Sequence, residues 1–277
     1  MGPSAVRGDY QIHPTAIIDP HASIGLDNII GPYVVIGPDV CIGNGNEIGP
    51  HAVLTGHTAI GDANRIFQFA SIGAPPQDLK WRGEDSRLVI GSRNIIREYV
   101  TLQPGTENGG GITTIGDDNL FMASCHVAHD CHVGNHVHLA NVATLAGHIT
   151  VGDHAILSGL CAVHQFARIG AYAFVAGGAM VSQDVPPYCL VQGDRARLVS
   201  LNEVGLKRGG FTEADILALR RAFRALFGRT GSKAERLAAA AGEADRCAAV
   251  RTLLEFVRTS TRGLVTASSR LQPSAQV

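Results

Sequence analysis

The stretch NIIGPYVVIGPDVCIGNGNEIGPHAVL, residues 28–54, repeats itself every six residues, with Ile30, Ile36, Ile42, Ile48 and Leu54 in one phase. Followed outward, the phase holds without a gap from Ile12 to Ile72, eleven positions in all. An α-helix repeats every 3.6 residues and a strand every two, so neither accounts for a period of six. The chain must turn a corner in every hexad. Two places before each in-phase residue from Ile18 onward stands a small or turn-competent residue: Ala16, Ala22, Asn28, Val34, Val40, Asn46, Ala52, Thr58, Asn64 and Ala70. The pattern predicts a solenoid in which each branched side chain points inward and three hexads close one triangular coil.

The phase stops after Ile72, because the next two inward slots would hold Asp78 and Glu84, and an unpaired carboxylate is too costly in an apolar stack. An excursion near residues 73–89 is therefore expected. Ile90, Ile96 and Leu102 resume the phase before a second excursion near 103–114, where Pro104, Gly105 and the run Gly109, Gly110, Gly111 read as flexible chain. A third series runs from Ile115 to Val181, for 26 in-phase positions in total and eight or nine coils. The two prolines of Gln183-Asp184-Val185-Pro186-Pro187-Tyr188 are expected to end the repeat, which places a β-solenoid domain at residues 10–191. Thr212 with Asp215, and Ser232 with Glu235, have the spacing of capping boxes. Ile216, Leu219, Phe223, Leu226 and Phe227 then recur with helical period, as do Val250, Leu253, Leu254 and Val257. Residues 192–265 read as a small helical domain, and the tail 266–277 as disordered.

Composition narrows the class. Of 277 residues 45% are hydrophobic but only 5% aromatic, which suits a thin prism of Ile, Val and Ala. No stretch has the length and apolarity of a membrane span, and the opening residues carry neither a signal-peptide run nor a myristoylation motif, so a cytoplasmic protein without stable membrane insertion is expected. The six cysteines form no CxxC pair and read as reduced, packed thiols. A net charge of −1 suggests no nucleic-acid partner, yet it is unevenly shared: residues 200–265 carry 12 Lys or Arg against 7 Asp or Glu. The helical domain is thus a candidate docking face for an acidic partner, unless these charges merely form solvated helix faces.

Eight of the 12 histidines fall between positions 126 and 164, where the repeat has no need of imidazole. Residues 18 apart stack one coil above another at a strand spacing of about 4.8 Å. Asp130 therefore stacks beneath His148, and His129 beneath Gly147 and then Gln165, with His164 alongside. A glycine above a histidine leaves room for a substrate and a bare N–H. The pair His129 and Asp130 has the makings of a general base with an orienting carboxylate. His136 and His154, also 18 apart, read instead as an outward ladder. A metal reading of His126, His129, His132, Cys125 and Cys131 is disfavoured, because cysteines six apart lie on successive faces and point in different directions.

Taken together, Gln77-Asp78-Leu79-Lys80, His126-Val127-Ala128-His129-Asp130-Cys131, Thr144-Leu145-Ala146-Gly147-His148, Ala162-Val163-His164-Gln165-Phe166, Gly205-Leu206-Lys207-Arg208 and Ser260-Thr261-Arg262-Gly263-Leu264 resemble the UDP-N-acetylglucosamine O-acyltransferases that begin lipid A biosynthesis, from about residue 10 to 265. The resemblance implies a left-handed parallel β-helix followed by a helical domain, assembled as a homotrimer with active sites between neighbouring prisms. It implies transfer of a (3R)-3-hydroxyacyl chain from acyl carrier protein to the glucosamine 3-hydroxyl, with no metal or organic cofactor and no covalent intermediate. Carried over by position, His129 is the base, Asp130 its partner and Gly147 the oxyanion donor. Gln77, Asp78, Lys80, His126, His148, His164, Gln165, Asn202 and Arg208 become substrate contacts, and Gly177 helps to limit acyl-chain length. The chain departs from some members at Glu203, Val204 and Gly209, so Glu203 is not carried over. N-acyl transfer to a 3-amino nucleotide sugar, another hexapeptide acyl- or acetyltransferase, and a non-catalytic scaffold are the competing readings.

Overall fold

The computed structural model describes residues 11–228, 231–245 and 247–267. Short parallel strands stack into three faces of nine, eight and ten strands. The first face runs from Ile17–Ile18 to Met180–Val181, the second from Ser23–Ile24 to Arg168–Ile169, and the third from Ile29–Ile30 through Phe174–Val175. The coil is a left-handed parallel β-helix. Its register bears out the eighteen-residue stacking: His126 pairs with Thr144 and Thr144 with Ala162. The inward ladder is buried from Ile30 to Val181 and becomes half-exposed at the first coil, where Ile12 is 47% exposed because no coil packs beneath it among the described residues.

The corners depend on more than small or turn-competent residues two places before each inward position. From Asn28 onward the residues two places before each inward position are themselves buried, including Val34, Val40, Ala52 and Ala70. At one corner they form an asparagine ladder: each of Asn28, Asn46 and Asn64 accepts at its side-chain oxygen from the backbone and side-chain N–H groups of the next asparagine, at 2.8–3.0 Å, up to Asn94. Three places after the inward residue the backbone turns left-handed, and eighteen of these positions are not glycine, among them Tyr33, Phe69, Asp130, Val142, His148 and Leu160. Such conformations cost about 1–2 kcal/mol each for ordinary residues. The stacked ladder overrides that cost, so glycine content is a poor guide to where this chain turns.

Three expected boundaries shift. The excursions occupy residues 73–86 and 103–111, because Arg87–Ile90 and Ile112–Ile115 are four-residue strands that rejoin the second face early. The repeat also survives its prolines: Val185 bridges Ile169, Cys189–Gln192 pairs in parallel with Phe174–Val175, and Arg197–Leu201 folds back antiparallel. Pro186 and Pro187 fall in the corner rather than in a strand, where their missing donors cost little.

Beyond the sheet come α1 (Glu203–Arg208), α2 (Glu213–Phe227), α3 (Lys233–Ala241) and α4 (Ala248–Thr259). Both expected capping boxes open helices, Thr212 at α2 and Ser232 at α3. Buried Asp184 fastens the returning chain to the prism, accepting from Ser260 Oγ at 2.8 Å and from Arg168 N–H at 2.9 Å. Thr266 and Ala267, expected to begin a disordered tail, bridge back to Leu198, and residues 268–277 lie outside the described residues. No helix among the described residues is long and apolar enough to cross a membrane.

Candidate active site

The corner between the first and second faces holds the predicted dyad. His129 Nδ1 donates to Asp130 Oδ2 at 2.7 Å, which leaves Nε2 as the open basic nitrogen. Asp130 is 2% exposed. A carboxylate so buried needs donors from the protein, and the second excursion supplies them. Thr106 N–H donates to Oδ1 at 2.8 Å and Thr106 Oγ1 to Oδ2 at 2.6 Å. Gly109 of the same loop packs so closely that a Cβ there would collide with the carboxylate. The expected flexible excursion is thus a fitted cap, because the glycine run lets backbone approach the acid.

One coil higher, Gly147 lies against the His129 ring: a Cβ at this position would stand 2.5 Å from His129 Cε1 and 2.7 Å from Nε2. The Gly147 N–H has no acceptor among the described residues. His148 meets the His129 ring edge-on at 5.0 Å and stacks on Phe166 at 4.4 Å. Burial holds the His148 imidazole below its ordinary pKa, while the carboxylates of Asp130 and Asp78 act in the opposite sense. The first excursion thus brings the charge of Asp78 within range of His148. In that loop Lys80 N–H donates to Asp78 Oδ1 at 2.9 Å, and Gln77 N–H to Gln103 Oε1 at 3.2 Å, while the Lys80 side chain is exposed. His126 Nδ1 lies 2.7 Å from the Thr101 hydroxyl, and burial followed by the nearby His129 holds its pKa low.

His164 lies farther along the same corner, with Gln165 exposed next to it. Arg262, returning from α4, donates to His164 Nδ1 at 2.7 Å and to the Ser182 carbonyl at 3.0 Å. Nδ1 also lies 3.2 Å from the Gln165 carbonyl, but a guanidinium only donates, so the shorter contact makes Nδ1 the acceptor and excludes a hydrogen bond to that carbonyl.

Three of the predicted residues stand elsewhere on the chain. Gly177 is at the corner between the third and first faces, beside the Gly159 carbonyl. Asn202 and Arg208 line a cavity of about 630 Å³ at the remaining corner, together with His136, His138, His154 and Tyr172. Asn202 also caps α1, accepting from Gly205 N–H at 3.0 Å, and donates to the Tyr172 carbonyl at 2.9 Å. His136 and His154 do stack, at 4.7 Å, and His154 continues onto Tyr172 at 4.5 Å, so the expected outward ladder also walls this cavity. Glu203 is held at 2.9 Å by Arg220, and Glu243 at 3.4 Å by Arg221. Part of the helical domain's basic excess is therefore spent internally.

Among the described residues, the grouping of His, Asp, Glu or Cys that could hold a metal is His129, Asp130 and His148. His129 Nδ1 and Asp130 Oδ2 are hydrogen-bonded to each other, so these two atoms are not both free for one ion. Cys125 and Cys131 are buried and donate to carbonyls, and burial raises their thiols to about 11 and about 12, so neither is a ready ligand or nucleophile. Thr106 and Gln103 escaped notice in the sequence because they reach the site across 24 and 26 residues with no periodic signal to mark them, and the glycine run gave no sign that Gly109 packs on Asp130.

Comparison with known proteins covers nearly the whole chain. Residues 184–265 match the model described as Udp N-acetylglucosamine O-acyltransferase, domain 2, and residues 21–56 match the bacterial transferase hexapeptide model. A Myxococcus xanthus acyl-[acyl-carrier-protein]–UDP-N-acetylglucosamine O-acyltransferase is 56% identical, aligned over 92% of this chain and 98% of its own length. A protein of the same name from Janthinobacterium is 50% identical, over 92% and 98%. Among solved structures, the UDP-N-acetylglucosamine acyltransferase of Bacteroides fragilis superimposes with a TM-score of 0.89 at 38% identity, covering 92% of this chain and 99% of that one. That of Francisella novicida does so with a TM-score of 0.89 at 36% identity, covering 93% and 95%.

Proposed function

This chain belongs to the UDP-N-acetylglucosamine O-acyltransferase family, and from that premise we propose how its own residues carry out acyl transfer. The substrates are a (3R)-3-hydroxyacyl thioester on acyl carrier protein and UDP-N-acetylglucosamine, whose 3-hydroxyl is the nucleophile. The observation that carries the reading is the corner where His129 bonds to buried Asp130 beneath the bare backbone of Gly147. His129 Nε2 takes the hydroxyl proton as oxygen attacks the thioester carbon. Asp130 holds the ring in that tautomer and stabilises the imidazolium. The Gly147 N–H stabilises the oxyanion of the tetrahedral intermediate, a kind of donor worth about 3–4 kcal/mol in the transition state. Its collapse breaks the C–S bond, and the imidazolium returns the proton to the departing thiolate.

His126, His148, His164 and Gln165 line the pocket above the dyad, with Gln77, Asp78 and Lys80 recognising polar parts of the substrates. Asn202 and Arg208 serve the uridine and phosphates, and Gly177 the far end of the acyl chain. Since these last three occupy other corners than His129, the reading calls for neighbouring copies to complete each site, as in a cytoplasmic homotrimer. An exposed apolar edge with Tyr33, Phe69, Tyr99, Val142 and Leu160 supports such packing. The deciding assay supplies purified protein with a mixed pool of 3-hydroxyacyl carrier proteins, and with either UDP-N-acetylglucosamine or its 3-amino analogue, and identifies products by mass spectrometry. Ester product from the natural sugar is expected; amide product alone would transfer the assignment to N-acylation.

A further inference from the structure

Thr106 stands at the head of the short helix Glu107–Gly109, where a threonine side chain ordinarily accepts a hydrogen bond from the first turn. It makes no such bond. Its hydroxyl is turned instead to Asp130 Oδ2 at 2.6 Å, while its N–H reaches Oδ1 at 2.8 Å. Both residues are buried, Thr106 as thoroughly as Asp130. With the 2.7 Å bond from His129 Nδ1, the acid has three donors, two of them from one threonine. His148 Nδ1, at 3.8 Å from Oδ2, is too distant to replace one.

We propose that Thr106 is a positioning residue for acyl transfer, whose hydroxyl holds the Asp130 carboxylate in the orientation that keeps His129 Nε2 free as the base. The inference rests on the reading of His129 as that base. The threonine hydroxyl and the imidazole share Oδ2, so removing the hydroxyl both frees the carboxylate to rotate and leaves more of its charge to stabilise the imidazolium. Besides Asp130, the ionisable groups facing His129 are His148, edge-on, and His126, with Asp78 acting on His148. None of them donates to Oδ2 within hydrogen-bond distance. The same loop also carries Gln103, which receives the Gln77 N–H at 3.2 Å and donates to the Pro75 carbonyl at 3.4 Å. The substrate loop and the dyad therefore share one support.

Thr106→Val removes the hydroxyl, preserves the shape and keeps the backbone donor; Thr106→Ser keeps the hydroxyl. In the full-length protein, with acyl carrier protein thioester and UDP-N-acetylglucosamine, the valine variant is expected to lose roughly 10- to 100-fold in kcat, the loss typical of one hydrogen bond to a charged group. Its KM values should change little, and the acid limb of its kcat/KM profile should move to higher pH. The serine variant should recover most of kcat and the original profile. Wild-type kcat with an unchanged profile in the valine variant would overturn the inference, as would equal losses in both variants with lowered Tm, which would mark a packing role only. His129→Ala, assayed alongside, separates the two ideas: activity surviving there removes the base assignment, whereas activity lost there but intact in Thr106→Val removes only the role of Thr106.

Discussion

The corner bearing His129 and the corner bearing His136 belong to consecutive hexads, and each stacks rings at eighteen-residue intervals, His148 on Phe166 at the first and His136 on His154 and Tyr172 at the second. Around His129 the rings meet a buried carboxylate, a bare glycine and two folded-in loops. Around His136 they form a half-exposed stack at the wall of an open cavity, with Asp118 no nearer than 4.0 Å. Repetition stacks rings at both corners, while His129 itself lies beneath Gly147 and meets His148 only edge-on. In the proposed reading, what makes one of them a base is the set of non-repeating neighbours that desolvate it and fix its tautomer.

The sharpest way to break this comparison is to remove each imidazole in turn. His129→Ala should lower turnover by roughly 100-fold or more, within the range of general-base catalysis, with circular dichroism and assembly unchanged. His136→Ala should leave kcat nearly intact and act, if at all, on the KM for the nucleotide sugar. Comparable losses of kcat would erase the distinction between the corners. Asp130→Asn should fall between them, because it keeps the base but alters its orienting partner; a greater loss than in His129→Ala would reverse the assigned roles.

Gly177→Met probes the third corner, whose stacked rings, His51 among them, belong to earlier coils. At about 0.8 kcal/mol per buried CH₂, blocking several methylenes should turn donor preference toward chains several carbons shorter while ester formation continues. Competition between donors of different length reads the result, and an unchanged product distribution would remove Gly177 from the acyl groove.

A smaller effect is expected from charge on the helical domain. Arg220 and Arg221 pair with Glu203 and Glu243, so their reversal to Glu mixes docking with lost internal pairs. Arg224 is exposed and has no ion pair among the described residues, which makes Arg224→Glu the cleaner probe. It should raise the KM for acyl carrier protein severalfold at low salt and little at high salt, with the nucleotide-sugar KM unchanged. Equal changes in both constants would point to folding.

The least conspicuous effect concerns acid stability. His126, His138, His148 and His154 are all held below the ordinary value of 6.5, with burial the first cause in each. The unfolded chain then binds more protons than the folded one as pH falls through that value, so stability should decrease from about pH 7 toward pH 5 and be flat above. Thermal melts across this range should show the slope, and replacing His126 and His148 by Gln should flatten it. An unaltered slope would assign acid sensitivity to other groups.

A strict six-residue phase was enough to establish the prism, since branched residues in one register have only one way to be buried together. The capping boxes of α2 and α3 were equally legible, being local in sequence. His129, Asp130 and Gly147 could be brought together from spacing, because stacking turns a distance of eighteen residues into direct contact. Other features depended on long-range packing. Left-handed corners at Val142 and Leu160 oppose local preference and exist only because the ladder enforces them. Asn202, which the resemblance implied as a substrate contact, also holds the linker through Tyr172 and Gly205, which its position in the sequence did not reveal. Thr106 reaches Asp130 across 24 residues through a loop outside the repeat, a contact that periodicity cannot encode because a loop has no register and its path is set only by what it packs against.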